Sequence, residues 1–306
     1  MKKMMWGLAF ALTILSTDLT YSQFITLNTI DTLQIYQNYI NTLNPNDIST
    51  LDNSVNKYRQ LFEKSSAFEK DSAFIIFWRY YVTVADSLGA KYVQNEKYNS
   101  FINIKHFDEV SSKNEKLKQT LLEKNKNLNE KDFNILKSIN HYGYKFDSIE
   151  GLILLSITDS KFILNNFTGL ISASLKQYIT KVIEEIDSAE NSDYASPITL
   201  KELVSRTLWW ENFINNNPNF FLIDDCIATY NSYLYALMIG TGRLQAFDSN
   251  NQKLNDNFRK IYERIMTHYK GTKAAEVISK YYSILKKNNF MINREASKFA
   301  ERFISE

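Results

Sequence analysis

The chain has 306 residues, 44% of them hydrophobic, and its 36 Lys and Arg stand against 34 Asp and Glu for a formal charge of +2. That hydrophobic content excludes a generally disordered chain, and so even a balance excludes a field that steers it onto nucleic acid or selects acidic substrates. A single cysteine, Cys226, excludes an intramolecular disulfide, so the fold rests on its core alone.

Lys2 and Lys3 precede an uncharged apolar run over residues 5–15, after which the chain turns polar, with small residues at Thr20 and Ser22. This is the layout of a secretory signal peptide, residues 1–22, cleaved after Ser22. The run is too short for a membrane span of ~20 residues. The mature protein is then expected at residues 23–306, periplasmic or extracellular, with no cysteine near the cleavage point to take a lipid. No later segment reaches the ~18 apolar residues of a stable span, so none is expected.

Only eight Gly and three Pro occur, well below the usual share of ~12%, so regular elements should be long and tight turns few. Ile30, Leu33, Tyr36, Ile40 and Leu43 recur at helical spacing, and Asn44-Pro45-Asn46 ends that helix. Ile48, Leu51, Val55, Tyr58 and Leu61 form the next face. Residues 67–88, with Phe68, Phe74, Phe77, Trp78, Tyr81 and Val84, are apolar on most sides and predict a central helix, with Gly89 as its stop. Residues 90–110 lack a clean period. Residues 111–132, rich in Lys, Glu and Asn, read as a charged connection between an N-terminal helical unit (23–110) and a C-terminal one (133–306).

Residues 133–139 resume a helix. The following segment, 141–156, has two glycines, aromatics at alternate positions and a β-branched apolar run. A short strand pair fits it, and a buried helix after Glu150 fits it equally. Leu175, Tyr178, Ile179, Val182, Ile183 and Ile186 make the next helix, and residues 191–197 a loop. Thr199 and Glu202 match a capping box, which opens a helix to about residue 215. Pro218 suits the start of another, running to Gly240. Helices over about 254–269 and 272–287 follow, then a last one capped by Asn293.

Trp210-Glu211-Asn212-Phe213-Ile214 is echoed 52 residues on by Tyr262-Glu263-Arg264-Ile265-Met266. Ile227, Tyr230 and Leu234 likewise match Ile278, Tyr281 and Leu285 at an offset of 51. Each copy is a helix, a break and a second helix. Residues 199–287 in this way resemble degenerate tetratricopeptide-like helical hairpins. They depart from that family in having a period well beyond its ~34 residues, and in lacking its small-residue positions. The resemblance implies stacked hairpins with a concave binding face.

Chemistry-bearing patterns are sparse. There is no glycine-rich phosphate loop, no HExxH and no GxSxG, and Gly240-Thr241-Gly242 reads as a helix stop. His106, His141 and His268 are far apart in sequence, and one cysteine cannot build a Cys/His zinc site, so no metal and no cofactor is expected. Asp224-Asp225 and Glu184-Glu185 point ~100° apart on their helices and read as solvated faces. Cys226, within an apolar helical pattern, reads as a buried, inert thiol. The weak catalytic candidate is Glu150, beside Gly151 and near His141, Tyr142 and Tyr144: a carboxylate amid aromatics has a raised pKa and can act as an acid, or it simply caps an apolar helix. Trp209 and Trp210, beside Glu211, face different ways on a helix, so one belongs to the core and the other can serve as a stacking platform for a sugar or peptide. Tyr142, Tyr144, Trp209 and Trp210 are the candidate binding residues.

The sequence therefore predicts an all-α fold of stacked antiparallel helices, helical-repeat-like in its C-terminal half, with a small irregular or β element near 140–157. The expected function is that of an exported, non-catalytic protein that binds a protein, peptide or envelope component through a helical groove, and not nucleic acid. The alternatives are an exported hydrolase using carboxylates including Glu150, and a structural or folding-helper protein of the cell envelope.

Overall fold

The computed structural model describes residues 27–93, 123, 129–149, 152–157, 161–190, 198–241 and 244–304. The signal segment 1–22, His106, most of 111–132, Glu150 and the loop 191–197 lie outside the described residues. Eleven helices and one two-stranded sheet occur among those described, so the chain is all-α with a small β element. It divides into two compact units, residues 15–190 and residues from 191 onward.

The first unit comprises α1 (Leu27–Asn41), α2 (Thr50–Phe62), α3 (Ala67–Val93), α4 (Glu130–His141), β1 (Tyr144–Ile149), β2 (Leu152–Ile157), α5 (Lys161–Phe167) and α6 (Ala173–Glu190). After α1, Asn44 Oδ1 accepts from Asn46 N at 3.0 Å, the turn that the Asn-Pro-Asn stop encodes. On α2 the buried stripe is Leu51, Val55, Tyr58 and Phe62. Phe62 rather than Leu61 completes it, because spacings of four, three and four keep one face. α3 runs through Gly89 to Val93 instead of stopping there. Beyond the glycine, Tyr92 is buried edge-to-face against Phe146, with ring centroids 5.6 Å apart. That contact offsets the ~1 kcal/mol that glycine costs within a helix.

Irregular residues 141–156 become the hairpin β1–β2, antiparallel, with Tyr144 opposite Ile157 and Phe146 opposite Leu155. Gly143, at φ 81°, makes the turn into β1. The core beneath is aromatic: the Phe167 ring lies 5.0, 4.9 and 4.6 Å from those of Tyr58, Phe74 and Phe77. α5 thus carries rings that complete the cores of α2 and α3 within the unit that runs to residue 190. A carboxylate from α3 also fixes α6, since Asp71 accepts from Ser172 N at 2.8 Å and Ser172 Oγ at 2.6 Å.

The second unit comprises α7 (Leu200–Asn216), α8 (Ile223–Ile239), α9 (Asp256–His268), α10 (Lys273–Lys287) and α11 (Arg294–Glu301). Thr199, Asn255, Thr272 and Asn293 each cap a helix through a side-chain oxygen. The capping box expected at Thr199 is half formed: Thr199 Oγ1 accepts from Glu202 N, and the Glu202 carboxylate pairs with Arg206. Pro218 does not begin α8. It sits in a turn that first buries Phe220, edge-to-face on Phe213 at 5.3 Å, and Leu222. Among the described residues no helix is long and apolar enough to cross a membrane.

Candidate functional site

The structure places the aromatic candidates mostly inside. Tyr144 is fully buried and stacks on Tyr81 at 4.5 Å, with its hydroxyl donating to Tyr81 O at 2.7 Å. Tyr142 is buried too, and donates to Asp52 Oδ2 at 2.6 Å. Burial pushes both phenols well above their ordinary range. Trp210 is 1% exposed and belongs to the core of the second unit. These three rings are packing elements: helical and strand periodicity turns Trp210 and Tyr144 inward, and Tyr142, in the turn between α4 and β1, packs edge-to-face on Phe162 at 4.9 Å. Trp209 is half-buried and stacks on Phe213 at 5.3 Å, which occupies a face of the indole. Glu150 lies outside the described residues.

Cys226 is fully buried, and burial, reinforced by Asp225, pushes its thiol up to about 12. Its neighbours differ: Asp224 is exposed, while Asp225 is half-buried and its carboxyl is raised to about 6 by burial and by the Asp224 charge. Among the described residues no group of three or more His, Cys, Asp or Glu could hold a metal ion.

The most constrained polar site is one that helical period does not reveal. Glu211, on α7, is buried. Its Oε1 accepts from Lys273 N at 2.6 Å, and its Oε2 accepts from Ala274 N at 2.9 Å and from Tyr230 Oη at 3.0 Å. Thr272 Oγ1 takes the next amide, Ala275 N, at 3.1 Å. The first three donors of α10 are thus satisfied, two of them by a carboxylate from another helix placed where the helix dipole favours negative charge. Burial and the Glu211 charge together push the Tyr230 phenol above its usual range, so it stays a donor.

The echoed residue Glu263 makes the corresponding bond: its Oε1 accepts from Tyr282 Oη at 2.7 Å, again nineteen residues on. There the carboxylate is exposed and is also met by Arg259 Nε at 3.3 Å. The echo at an offset of 52 pointed to both glutamates as helix positions, and the tertiary contact separates their roles.

Beside Glu211 opens a cleft of about 580 Å³, bounded by Asn215 on α7, Met266 and Lys270 near the end of α9, and Lys273, Glu276 and Ser279 on α10. Its rim carries both signs of charge. Glu276 receives Lys280 Nζ at 2.6 Å and Lys273 Nζ at 3.3 Å, and these ammonium groups hold its carboxyl below the usual range. The cleft therefore offers amide, hydroxyl, carboxylate and ammonium groups around a floor whose carboxylate is already committed to α10.

No protein-family model, curated protein or solved structure matches the chain, so the likeness of residues 199–287 to tetratricopeptide-like hairpins confers no family membership.

Proposed function

We propose that the chain is an exported, non-catalytic binding protein that holds an extended segment of a protein, peptide or envelope component in the cleft at the start of α10. The observation that carries this reading is the bonding of Glu211. A buried carboxylate beside a cleft is the usual sign of acid–base chemistry, but this one is committed to two helix amides and a phenol, and it shapes the cleft instead of moving protons. Around it, the Asn215 amide, the Ser279 hydroxyl and the mixed charges of Lys270 and Glu276 supply both donors and acceptors. A peptide backbone, which presents alternating N–H and C=O groups, needs both. The leader-like residues 1–22 support export.

The test is selection of short random peptides on the full chain, followed by affinity measurement on the Ser279→Trp variant, which fills the cleft. A loss of tenfold or more is expected, and equal affinity for the variant refutes the cleft as the site. Export is checked by N-terminal sequencing of the chain recovered from the source cells' envelope and medium: the expected first residue is Gln23, and an intact Met1 overturns it.

A further inference from the structure

The near-even charge of the whole chain averages over an uneven distribution. Residues 256–287, the α9–α10 hairpin, carry eight Lys and Arg against three Asp and Glu, a surplus of five in a chain whose total is +2. All eight cations are exposed. One seam of this hairpin can be followed from the cleft to the far end of α10. At the cleft, Met266 and Lys270 of α9 stand across from Ala275 and Ser279 of α10. One turn along, Glu263 Oε1 accepts from Tyr282 Oη at 2.7 Å. A turn beyond that, the Arg259 guanidinium lies 4.3 Å over the Phe290 ring, which Tyr282 meets edge-on at 5.3 Å. From Lys270 to Arg259 the seam is about 16 Å long at ~1.5 Å per helical residue, which matches about five residues of extended chain.

The charges along the seam are not equally free to meet a ligand. Both of its carboxylates are engaged. Glu263 takes the Tyr282 hydroxyl and Arg259 Nε, and Glu276 takes the ammonium groups of Lys280 and Lys273; these donors hold each carboxyl below its usual range. The hairpin's third acid, Asp256, sits in the first turn of α9, where the helix dipole favours it. Two cations on the seam have no such partner. Lys270 borders the cleft, and Lys286, four residues beyond Tyr282, lies on the same stripe of α10. Neither forms an ion pair among the described residues. The seam thus has an uncommitted ammonium group toward each end, with the side chains of Met266, Ser279 and Tyr282 between them.

We propose that the segment held in the cleft is an acidic stretch of a partner protein, extended along the α9–α10 seam, with two Asp or Glu side chains four residues apart that meet Lys270 and Lys286. The inference rests on the peptide-binding role proposed above for the cleft and names the chemistry of its ligand. In an extended strand, residues four apart turn to the same side and lie ~13 Å from one another. The flexible four-carbon stems of the two lysines span the remaining distance. Complementary charge of this kind sets which segments bind and in which register.

The test is fluorescence anisotropy of the full chain at low ionic strength with the terminally blocked peptide Ala-Glu-Ala-Ser-Ala-Glu-Ala, carrying an uncharged dye, beside its counterpart with Gln in place of both Glu. Exposed ion pairs are individually weak, so two together should give the Glu peptide a preference of about fivefold, which 1 M salt should erase. Lys270→Gln combined with Lys286→Gln changes only exposed side chains, so circular dichroism should stay that of the parent. This double variant should lower the affinity of the Glu peptide to that of the Gln peptide and leave the Gln peptide unchanged. Equal affinity of the parent for the two peptides, or a preference that survives in the double variant, overturns the proposal. Polyglucuronate displacing the Glu peptide from the parent and binding Ser279→Trp equally well also overturns it, since the seam would then be a general surface for anionic polymers. Equal binding of both peptides that Ser279→Trp abolishes would reject only the acidic preference, whereas peptide binding untouched by Ser279→Trp would reject the cleft itself.

Discussion

Replacing Glu211 with Ala removes the acceptor for Lys273 N, Ala274 N and Tyr230 Oη in one step. Each buried donor left without a partner costs about 1–3 kcal/mol. The start of α10 borders the cleft, so water can reach part of what is exposed, and we expect a loss of about 3–5 kcal/mol. Glu211→Gln should cost about 2 kcal/mol, since its amide keeps one carbonyl acceptor but turns an NH₂ toward a helix N–H. The internal control is Glu263→Ala. It breaks the corresponding Glu–Tyr bond at an exposed position, where such pairs contribute less than about 1 kcal/mol. Urea unfolding of the full chain, followed by circular dichroism, measures all three. A double-mutant cycle with Tyr230→Phe should return a coupling of about 1 kcal/mol. Glu211→Ala within about 0.5 kcal/mol of the parent, or Glu263→Ala costing as much as Glu211→Ala, would refute the argument that a buried carboxylate anchors α10.

Three further outcomes follow from the same geometry. Gly240→Ala should destabilise the chain by at least about 2 kcal/mol, because φ +92° and the Leu244 and Ala246 backbone both oppose a Cβ; a thermal melt coincident with the parent's would show the connection between α8 and α9 to be compliant. The Asp225 carboxyl is raised from 3.8 to about 6, so the folded chain holds its proton more tightly than the unfolded one. Its favourable contribution is complete below pH 3.8 and is lost as pH rises through about 6. Asp225→Asn should therefore stabilise the protein at pH 7, by only about 1 kcal/mol because the group is half exposed, and should give no gain below pH 3.8; an equal gain at both ends would exclude ionisation as the cause. Finally, Cys226 should resist a thiol-specific disulfide reagent at pH 8 until denaturant is added, and rapid labelling of the native chain would contradict its burial.

Much of the helical plan is legible from spacing alone. The stripe Leu51, Val55, Tyr58 repeats at three and four residues and is the buried face of α2, and the caps at Thr199 and Asn293 fall where hydroxyl or amide oxygens precede apolar runs. The irregular segment at 141–156 was recognisable because glycines and alternating aromatics break helical period, and it forms the hairpin. Features set by tertiary contact were not legible. Gly89 is a stop only if nothing packs beyond it, and Tyr92 packs on Phe146. The division between units near residue 190 depends on the Phe162 and Phe167 rings of α5 reaching Tyr81 and Phe77, which composition along the chain does not register. The role of Glu211 was not legible because its backbone donors lie 62 and 63 residues away. Tyr144 and Trp210 have the composition of a binding platform and the burial of a core, and sequence distinguishes the two only when an aromatic breaks the periodic face.

The Glu211 carboxylate joins α7, α8 and α10 at a single point. The amides of Lys273 and Ala274 are consequently shielded from solvent hydrogen by a side chain on another helix, and they cannot open by simple end-fraying of α10. Their exchange requires α7 to withdraw, so the start of a helix, ordinarily its first part to exchange, should here be among the slowest amides of the second unit. A helix terminus of this kind reports the opening of the whole group of helices, and the two amides are natural positions at which to follow it by native-state hydrogen exchange.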